Sequence, residues 1–161
     1  VGPGPFTGIR IGLTVCKALI IRYGLAFRPV NSLKALAYSI LGPIRHVAAI
    51  MDARRGEYYA AVYGKESDGI MVEIAPPSLV AESDLSQWIS QHCSPTVVVG
   101  LMSDKTEDSL RLAGLVTVRK DPYLAREIVC LTRDEESLWL RESQELRPLY
   151  LREPDAVMAR S

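Results

Sequence analysis

Val1-Gly-Pro-Gly-Pro-Phe-Thr-Gly-Ile-Arg-Ile-Gly12 opens the chain, and the reading of this stretch decides the fold. A loop of Gly2, Pro3, Gly4 and Pro5 runs into an apolar helix beginning near Thr7. Glycine supplies backbone angles and close approaches that other residues lack. Proline stiffens the loop and keeps it out of sheet and helix. The Thr7 hydroxyl is expected to cap the helix by accepting from an orphan backbone N–H. A Gly/Pro loop that opens a helix normally follows a strand, and there is no initiator Met. More chain is therefore expected before Val1.

The helix is predicted to run to about Tyr23. Ile9, Leu13, Cys16, Ile20 and Tyr23 share one face at helical spacing, and Ile11, Val15, Ala18 and Leu19 form a second apolar face. Only a narrow stripe through Arg10, Thr14 and Lys17 is polar. A helix apolar nearly all round is buried on more than one side. One side suits its own sheet, and the other needs a second layer from this chain or another subunit. A central core helix is the competing reading. Gly8 and Gly12 lie one turn apart and permit close approach of another element; Arg10 and Lys17 argue against a membrane helix pair.

Beyond Gly24, which fits a helix stop, residues 26–31 read as a short strand with Pro29 at an edge or end. Ser32 is expected to cap a helix through Leu41, ended by Gly42-Pro43. The continuous apolar run from His46 to Ala53 predicts a central strand. Arg54-Arg55-Gly56 predicts a turn, and Glu57 to Gly64 the returning strand of a hairpin. Ser67-Asp68-Gly69 predicts another turn, and Ile70 to Ala75 a third strand broken by Pro76-Pro77. A helix from Ser83 to His92 places Trp88 and Ile89 inward. Strands follow at Thr96–Gly100 and Leu115–Val118, with a helix over Thr106–Leu112 between them. Asp121-Pro122 starts a last helix, in which Leu124, Ile128 and Leu131 share a face. Residues 134–145 read as a charged surface helix or loop, and the end of the chain as a tail. Helices alternating with strands after an antiparallel meander mean α/β with a mixed sheet.

Composition is that of a globular protein: 48% hydrophobic, 24% charged, with 19 basic and 19 acidic residues. Zero net charge gives no general pull toward nucleic acid or anionic membrane. Cys16, Cys93 and Cys130 are far apart and lack metal-ligand or redox spacing. Cys16 and Cys130 are expected to be buried thiols, which suits a reducing cytosol.

Nucleotide fingerprints fail on spacing. A phosphate-binding loop needs G-x-x-x-x-G-K-[ST], but Gly4 and Gly8 are too close and Ile9-Arg10 follows. A dinucleotide loop needs G-x-G-x-x-G, and Thr7 stands at the third glycine. The helix N-terminus can still hold an anion through its free N–H groups. His46 and His92 are the only histidines and form no metal pair. No cofactor, metal or catalytic residue is assigned. Asp52 stands beside Arg54, Arg55 and Glu57, either as a hairpin turn held by charges or as a polar cluster facing a cleft between lobes. Tyr58, Tyr59 and Tyr63 are expected to pack on the hairpin.

The segment GPGPFTGIRIGLTVCKAL resembles the signature of the bacterial TsaB (YeaZ) family, which runs GPGSFTGLRIG and then a helix. Three further segments agree in order. Residues 30–37, VNSLKALA, are similar to the family's VSSLEALA; residues 52–59, DARRGEYY, to its DARRGEVY; and residues 148–156 contain its P-x-Y-L-R. Pro5 departs from the usual Ser, removing a hydroxyl and an N–H, which argues against ligand binding through that position.

The resemblance implies an actin-like ATPase (ribonuclease H-like) fold of mixed sheets with flanking helices, its first lobe incomplete. Residues 1–32 would be the remnant of the N-terminal lobe with an interface helix, and residues 33–161 the C-terminal lobe. The missing beginning would hold the first strands and helix. A chain made without it is expected to self-associate or to stay partly disordered near residues 1–30. The implied role is in making threonylcarbamoyladenosine in tRNAs that read codons beginning with A. The implied part is that of a non-catalytic cytoplasmic subunit. TsaD, the catalytic paralogue, carries the metal site and transfers the threonylcarbamoyl group. TsaE, an ATPase, joins the assembly, tRNA is met only through the complex, and a homodimer forms when the chain is alone. Thr7, Ile11, Val15, Ala18, Leu19 and Arg22 would form the partner interface. The competing functions are an actin-like-fold ATPase and a glycoprotease-like enzyme.

Overall fold

His46–Arg54 forms β1, the centre of a five-stranded sheet ordered β3-β2-β1-β4-β5. On one side β1 pairs antiparallel with β2 (Glu57–Lys65), which pairs antiparallel with β3 (Met71–Ala81). On the other it pairs parallel with β4 (Val97–Leu101), which pairs parallel with β5 (Val116–Arg119). The apolar run of β1 has its physical reason here: Val47, Ala48, Ala49 and Ile50 are fully buried, since both faces of the sheet are covered. Gly100 lets β4 come close, because a Cβ at that position would stand 2.1 Å from the Ile50 carbonyl oxygen.

The computed structural model describes residues 1–40, 42, 44–66, 69–92, 97–121, 123–134 and 139–151. The expected Leu41 helix end, Pro43, the Ser67-Asp68 turn, Cys93, Thr96, Pro122 and the tail from residue 152 lie outside the described residues.

Strand alternation sorts the core into two layers. Val47, Ala49, Ala61 and Val99 face α2 (Ser32–Tyr38) and α5 (Ala125–Asp134), packing with Leu33, Leu36, Leu124 and Leu131. Ala48, Ile50, Ala60 and Val98 face α3 (Leu85–His92) and α4 (Asp104–Leu112), packing with Leu85, Ile89 and Leu110. Trp88 is half-buried beside this second layer. The helix expected over Thr106–Leu112 is α4, which begins at Asp104 and is capped by Ser103, whose hydroxyl accepts from the Thr106 N–H.

Several expectations are corrected. Helix α1 is Phe6–Tyr23, with Pro5 at the cap position and no side-chain capping bond. Pro5 already has a φ of −58° and its carbonyl accepts from the Ile9 N–H, so Thr7 lies inside the first turn, exposed. Asn31, not Ser32, caps α2: its Oδ1 accepts from the N–H groups of Leu33 and Lys34. The predicted strand over 26–31 is reduced to isolated bridges of Phe27 with Leu140 and of Asn31 with Gly2.

Strand β3 passes through Pro76-Pro77 to Ala81. It is an edge strand, and the pairing slips between Ala60 and Tyr63 of β2, where two missing N–H groups are tolerated. Cys16 is exposed and Cys130 only half-buried. Neither thiol is the core residue expected: among the described residues no layer covers the Cys16 side of α1.

The base of α1 is clasped by distant backbone. The Ser32 N–H donates to the Gly2 carbonyl at 2.7 Å and the Leu149 N–H to the Val1 carbonyl at 3.0 Å. Arg10 Nε donates to the Tyr150 hydroxyl at 3.1 Å, and its guanidinium lies 3.8 Å from the centre of the Phe6 ring.

Candidate functional site

Two features stand out, one on α1 and one at an end of the sheet. An α-helix turns once in about 3.6 residues, so positions four apart form a slowly drifting stripe. Ile11, Val15 and Leu19 follow that spacing and are 62%, 54% and 45% exposed. Thr7 begins the same stripe, and Ala18 and Arg22 flank it; all three are exposed. Gly8 and Gly12 lie within it, and a Cβ at either would meet no atom within 4 Å. The opposite face carries the contacts of the helix, through half-buried Phe6, Ile9 and Leu13 and buried Ile20. Cys16 and Tyr23, expected on that inner face, are exposed. The exposed apolar surface also includes Ile21, on neither of the two apolar faces picked out by helical spacing, and Leu25, beyond the Gly24 cap.

The second feature is a cleft of ≈ 530 Å³ at the carboxyl ends of β1 and β4. Asp52, Arg54 and Arg55 line one side, at the hairpin. Glu57 pairs with Arg54 across that hairpin but is not on the cleft wall. The turn holds three successive residues in left-handed backbone: Arg54 at φ 63°, Arg55 at 59° and Gly56 at 72°. Asp52 Oδ1 accepts from the Arg54 N–H at 2.6 Å, and the Gly56 carbonyl accepts from the Glu82 N–H at 2.8 Å.

Glu82, Leu101, Met102 and Ser103 supply the opposite wall. A chain of hydroxyls links the two walls. Thr106, 2% exposed, donates to Glu82 Oε1 at 2.7 Å. Its Oγ1 also lies 2.9 Å from the Tyr58 hydroxyl and 2.8 Å from that of Ser103. Glu82 stands 24 positions before Thr106 and has no sequence signal. Ser103, by contrast, is a legible helix cap before a charged run.

A third cluster ties α4 to β5. Buried Glu107 accepts from Thr117 Oγ1 at 2.9 Å, from Arg111 Nη2 at 2.6 Å and from Arg119 Nε. Arg119 also donates to Asp104. The hydrogen bond from Thr117, then that from Arg119, holds the Glu107 carboxyl below its ordinary range. Lys120 does the same to Glu127 through a 2.9 Å hydrogen bond. His92 ends α3 with Nδ1 2.7 Å from the Trp88 carbonyl. Among the described residues no group of three or more His, Cys, Asp or Glu side chains can hold a metal ion, and no helix is long and apolar enough to cross a membrane.

The family model described as "TsaD: tRNA N6-adenosine threonylcarbamoyltransferase" matches residues 1–77. The Bacillus subtilis (strain 168) "tRNA threonylcarbamoyladenosine biosynthesis protein TsaB" is 28% identical over 160 residues, covering 96% of this chain and 68% of that protein. The Escherichia coli (strain K12) protein of the same name is 31% identical over 118 residues, covering 71% of this chain and 51% of that protein. The chain thus spans two thirds of the length of one curated relative and half of the other.

Among solved structures, "YeaZ from Pseudomonas aeruginosa" has a TM-score of 0.64 at 22% identity, covering 92% of this chain and 71% of that one. A Pseudomonas aeruginosa "uncharacterized protein with similarity to peptidase YEAZ" has a TM-score of 0.67 at 21% identity, covering 94% and 70%. These structures share the fold, an actin-like ATPase (ribonuclease H-like) α/β architecture with a mixed sheet between helices. The sequence segments 2–19, 30–37, 52–59 and 148–156, in that order, and the relatives named above agree: the chain belongs to the TsaB (YeaZ) family.

Proposed function

We propose that the chain is a non-catalytic subunit of a cytoplasmic assembly that makes threonylcarbamoyladenosine in tRNA, and that it docks the catalytic paralogue TsaD through the outer face of α1. In this reading residues 1–32 carry the interface helix and residues 33–161 form the other lobe. The observation that carries it is the bare stripe of Ile11, Val15 and Leu19 running past Gly8 and Gly12. Glycine inside a helix is destabilising by about 1 kcal/mol relative to alanine. Among the described residues no atom comes within 4 Å of a Cβ at either position, so nothing there requires it. Close approach of a partner helix does require it.

The match of residues 1–77 to a TsaD family model supports a pseudo-symmetric pair. Paralogues with related surfaces can meet face to face as identical subunits do across a two-fold axis. The same face would hold a second copy of the chain when TsaD is absent. TsaE joins the assembly, and tRNA is reached through the complex, since a chain of zero net charge has no general attraction for RNA.

The test is reconstitution. Mixed with TsaD, TsaE, the adenylate donor and tRNA, the chain is expected to stimulate modification and to be inactive alone. Val15→Glu is expected to abolish co-elution with TsaD while leaving the circular dichroism spectrum unchanged. Turnover by the chain alone would overturn the non-catalytic role, and retained co-elution would move the interface off this face.

A further inference from the structure

Arg54 and Arg55 occupy backbone positions that suit other residues better. Arg54 pairs with Glu57, so the two centres of the hairpin turn are Arg55 and Gly56. A two-residue turn with positive φ at both centres favours Asn-Gly or Gly-Gly, yet arginine takes the first centre at φ 59° and the strand-end position before it at φ 63°. Turn geometry therefore does not account for arginine at these two positions. Both residues line the cleft at the carboxyl ends of β1 and β4. In open α/β sheets that edge is where ligands bind, beside the strand at which the connections diverge. Here that strand is β1, antiparallel to β2 and parallel to β4.

The rest of the lining narrows the ligand. Asp52 Oδ1 accepts from the Arg54 N–H and Glu82 Oε1 from the Thr106 hydroxyl, while Glu82 Oε2 lies 4.0 Å from the exposed Lys105 Nζ. Ser103 adds a hydroxyl, and Leu101, 51% exposed, adds an apolar wall next to buried Met102. A volume of ≈ 530 Å³ lies in the usual range for a small-molecule site and exceeds what a lone inorganic anion fills.

We propose that this cleft binds a phosphorylated, hydroxyl-bearing small molecule. The guanidinium groups of Arg54 and Arg55 meet the phosphate, and the organic body lies along Leu101. Two guanidiniums match a phosphate monoester dianion better than a single carboxylate, and their planar donor forks fit phosphate oxygens. The carboxylates of Asp52 and Glu82 accept from sugar-type hydroxyls on the same ligand. This site is separate from the α1 face and does not depend on it.

Ribose 5-phosphate, inorganic phosphate, ribose and a short single-stranded RNA serve as probes, read by amide NMR of this chain. Ribose 5-phosphate is expected to shift the amides of residues 52–56 and 101–104 saturably, about tenfold more tightly than inorganic phosphate. Ribose is expected to leave them unmoved. The Arg54→Gly/Arg55→Gly variant relieves the turn rather than stressing it, so it is expected to fold and to lose the response to ribose 5-phosphate. No saturable shift at millimolar probe, or a shift retained by the glycine variant, overturns the site. Equal affinity for inorganic phosphate overturns the organic ligand, and tighter shifts of the same amides by RNA overturn the small-molecule assignment.

Discussion

The Tyr58 hydroxyl and the Thr106 hydroxyl meet at 2.9 Å inside the protein, although 48 positions separate them in the chain. Tyr58 belongs to the hairpin and Thr106 to the first turn of α4, so this contact joins the two walls of the cleft. Thr106→Val keeps the shape but leaves Tyr58, Ser103 and Glu82 each without one partner. Of the three only Tyr58 is buried, and leaving a buried polar group unsatisfied costs about 1–3 kcal/mol. Tyr58→Phe removes a single bond and is expected to cost about 1 kcal/mol. Urea unfolding of both variants and of the double variant checks this, and the double variant should cost less than the sum of the two.

Gly12→Ala separates the fold from the interface. Among the described residues the added Cβ meets nothing within 4 Å, so the helix gains about 1 kcal/mol of stability. Against a partner the same methyl occupies the approach, so association weakens. A higher thermal midpoint together with weaker binding to TsaD, measured by calorimetry, is the expected pair of results. Stabilisation with unchanged affinity would place the partner elsewhere.

The hairpin yields a second stabilising substitution. Left-handed backbone costs a residue with a Cβ roughly 1–2 kcal/mol, and glycine returns part of that by its larger entropy loss on folding. Arg55→Gly, at φ 59°, is therefore expected to raise unfolding free energy by up to about 1 kcal/mol. Denaturant titration with an unchanged slope measures it, and a loss of stability would mean that the guanidinium holds the turn.

Acid should loosen the α4–β5 clasp in a defined direction. The folded Glu107 carboxyl titrates below its ordinary value of 4.5, through hydrogen bonds from Thr117 and Arg119. Its contribution is complete above that ordinary value and is lost as pH falls through the lowered folded value. Between about pH 5 and pH 3 the wild type should lose stability faster than Glu107→Gln. Glu127, held down by Lys120, adds to the same trend. Equal slopes in unfolding free energy against pH would remove Glu107 from the account.

Much of the sheet is legible in the sequence because its signals are local. The run from Val47 to Ile50 announces a strand covered on both faces, and Arg55-Gly56 announces a tight turn. Errors fall where tertiary context outranks local pattern. Pro76-Pro77 reads as a break, yet an edge strand with a register slip absorbs it. Thr7 and Ser32 read as caps, but Pro5 and Asn31, each slightly earlier in the chain, take those places. Cys16 reads as core because helical periodicity reports an apolar face without saying what covers it. The hairpin side of the cleft is visible as a charge cluster. Its other wall is not, since Glu82 and Ser103 are brought there only by the ends of β3 and β4.

The seating of α1 has a consequence for the thermodynamics of association. All 18 residues of the helix are in place within this chain, anchored through Ile9, Leu13 and Ile20 and held at the base by Tyr150. Ordering a residue's backbone costs roughly 1–2 kcal/mol. A partner arriving on the outer stripe would meet a surface whose conformational entropy is already spent. The free energy of burying Ile11, Val15 and Leu19 would then appear in the affinity rather than being consumed in forming the helix.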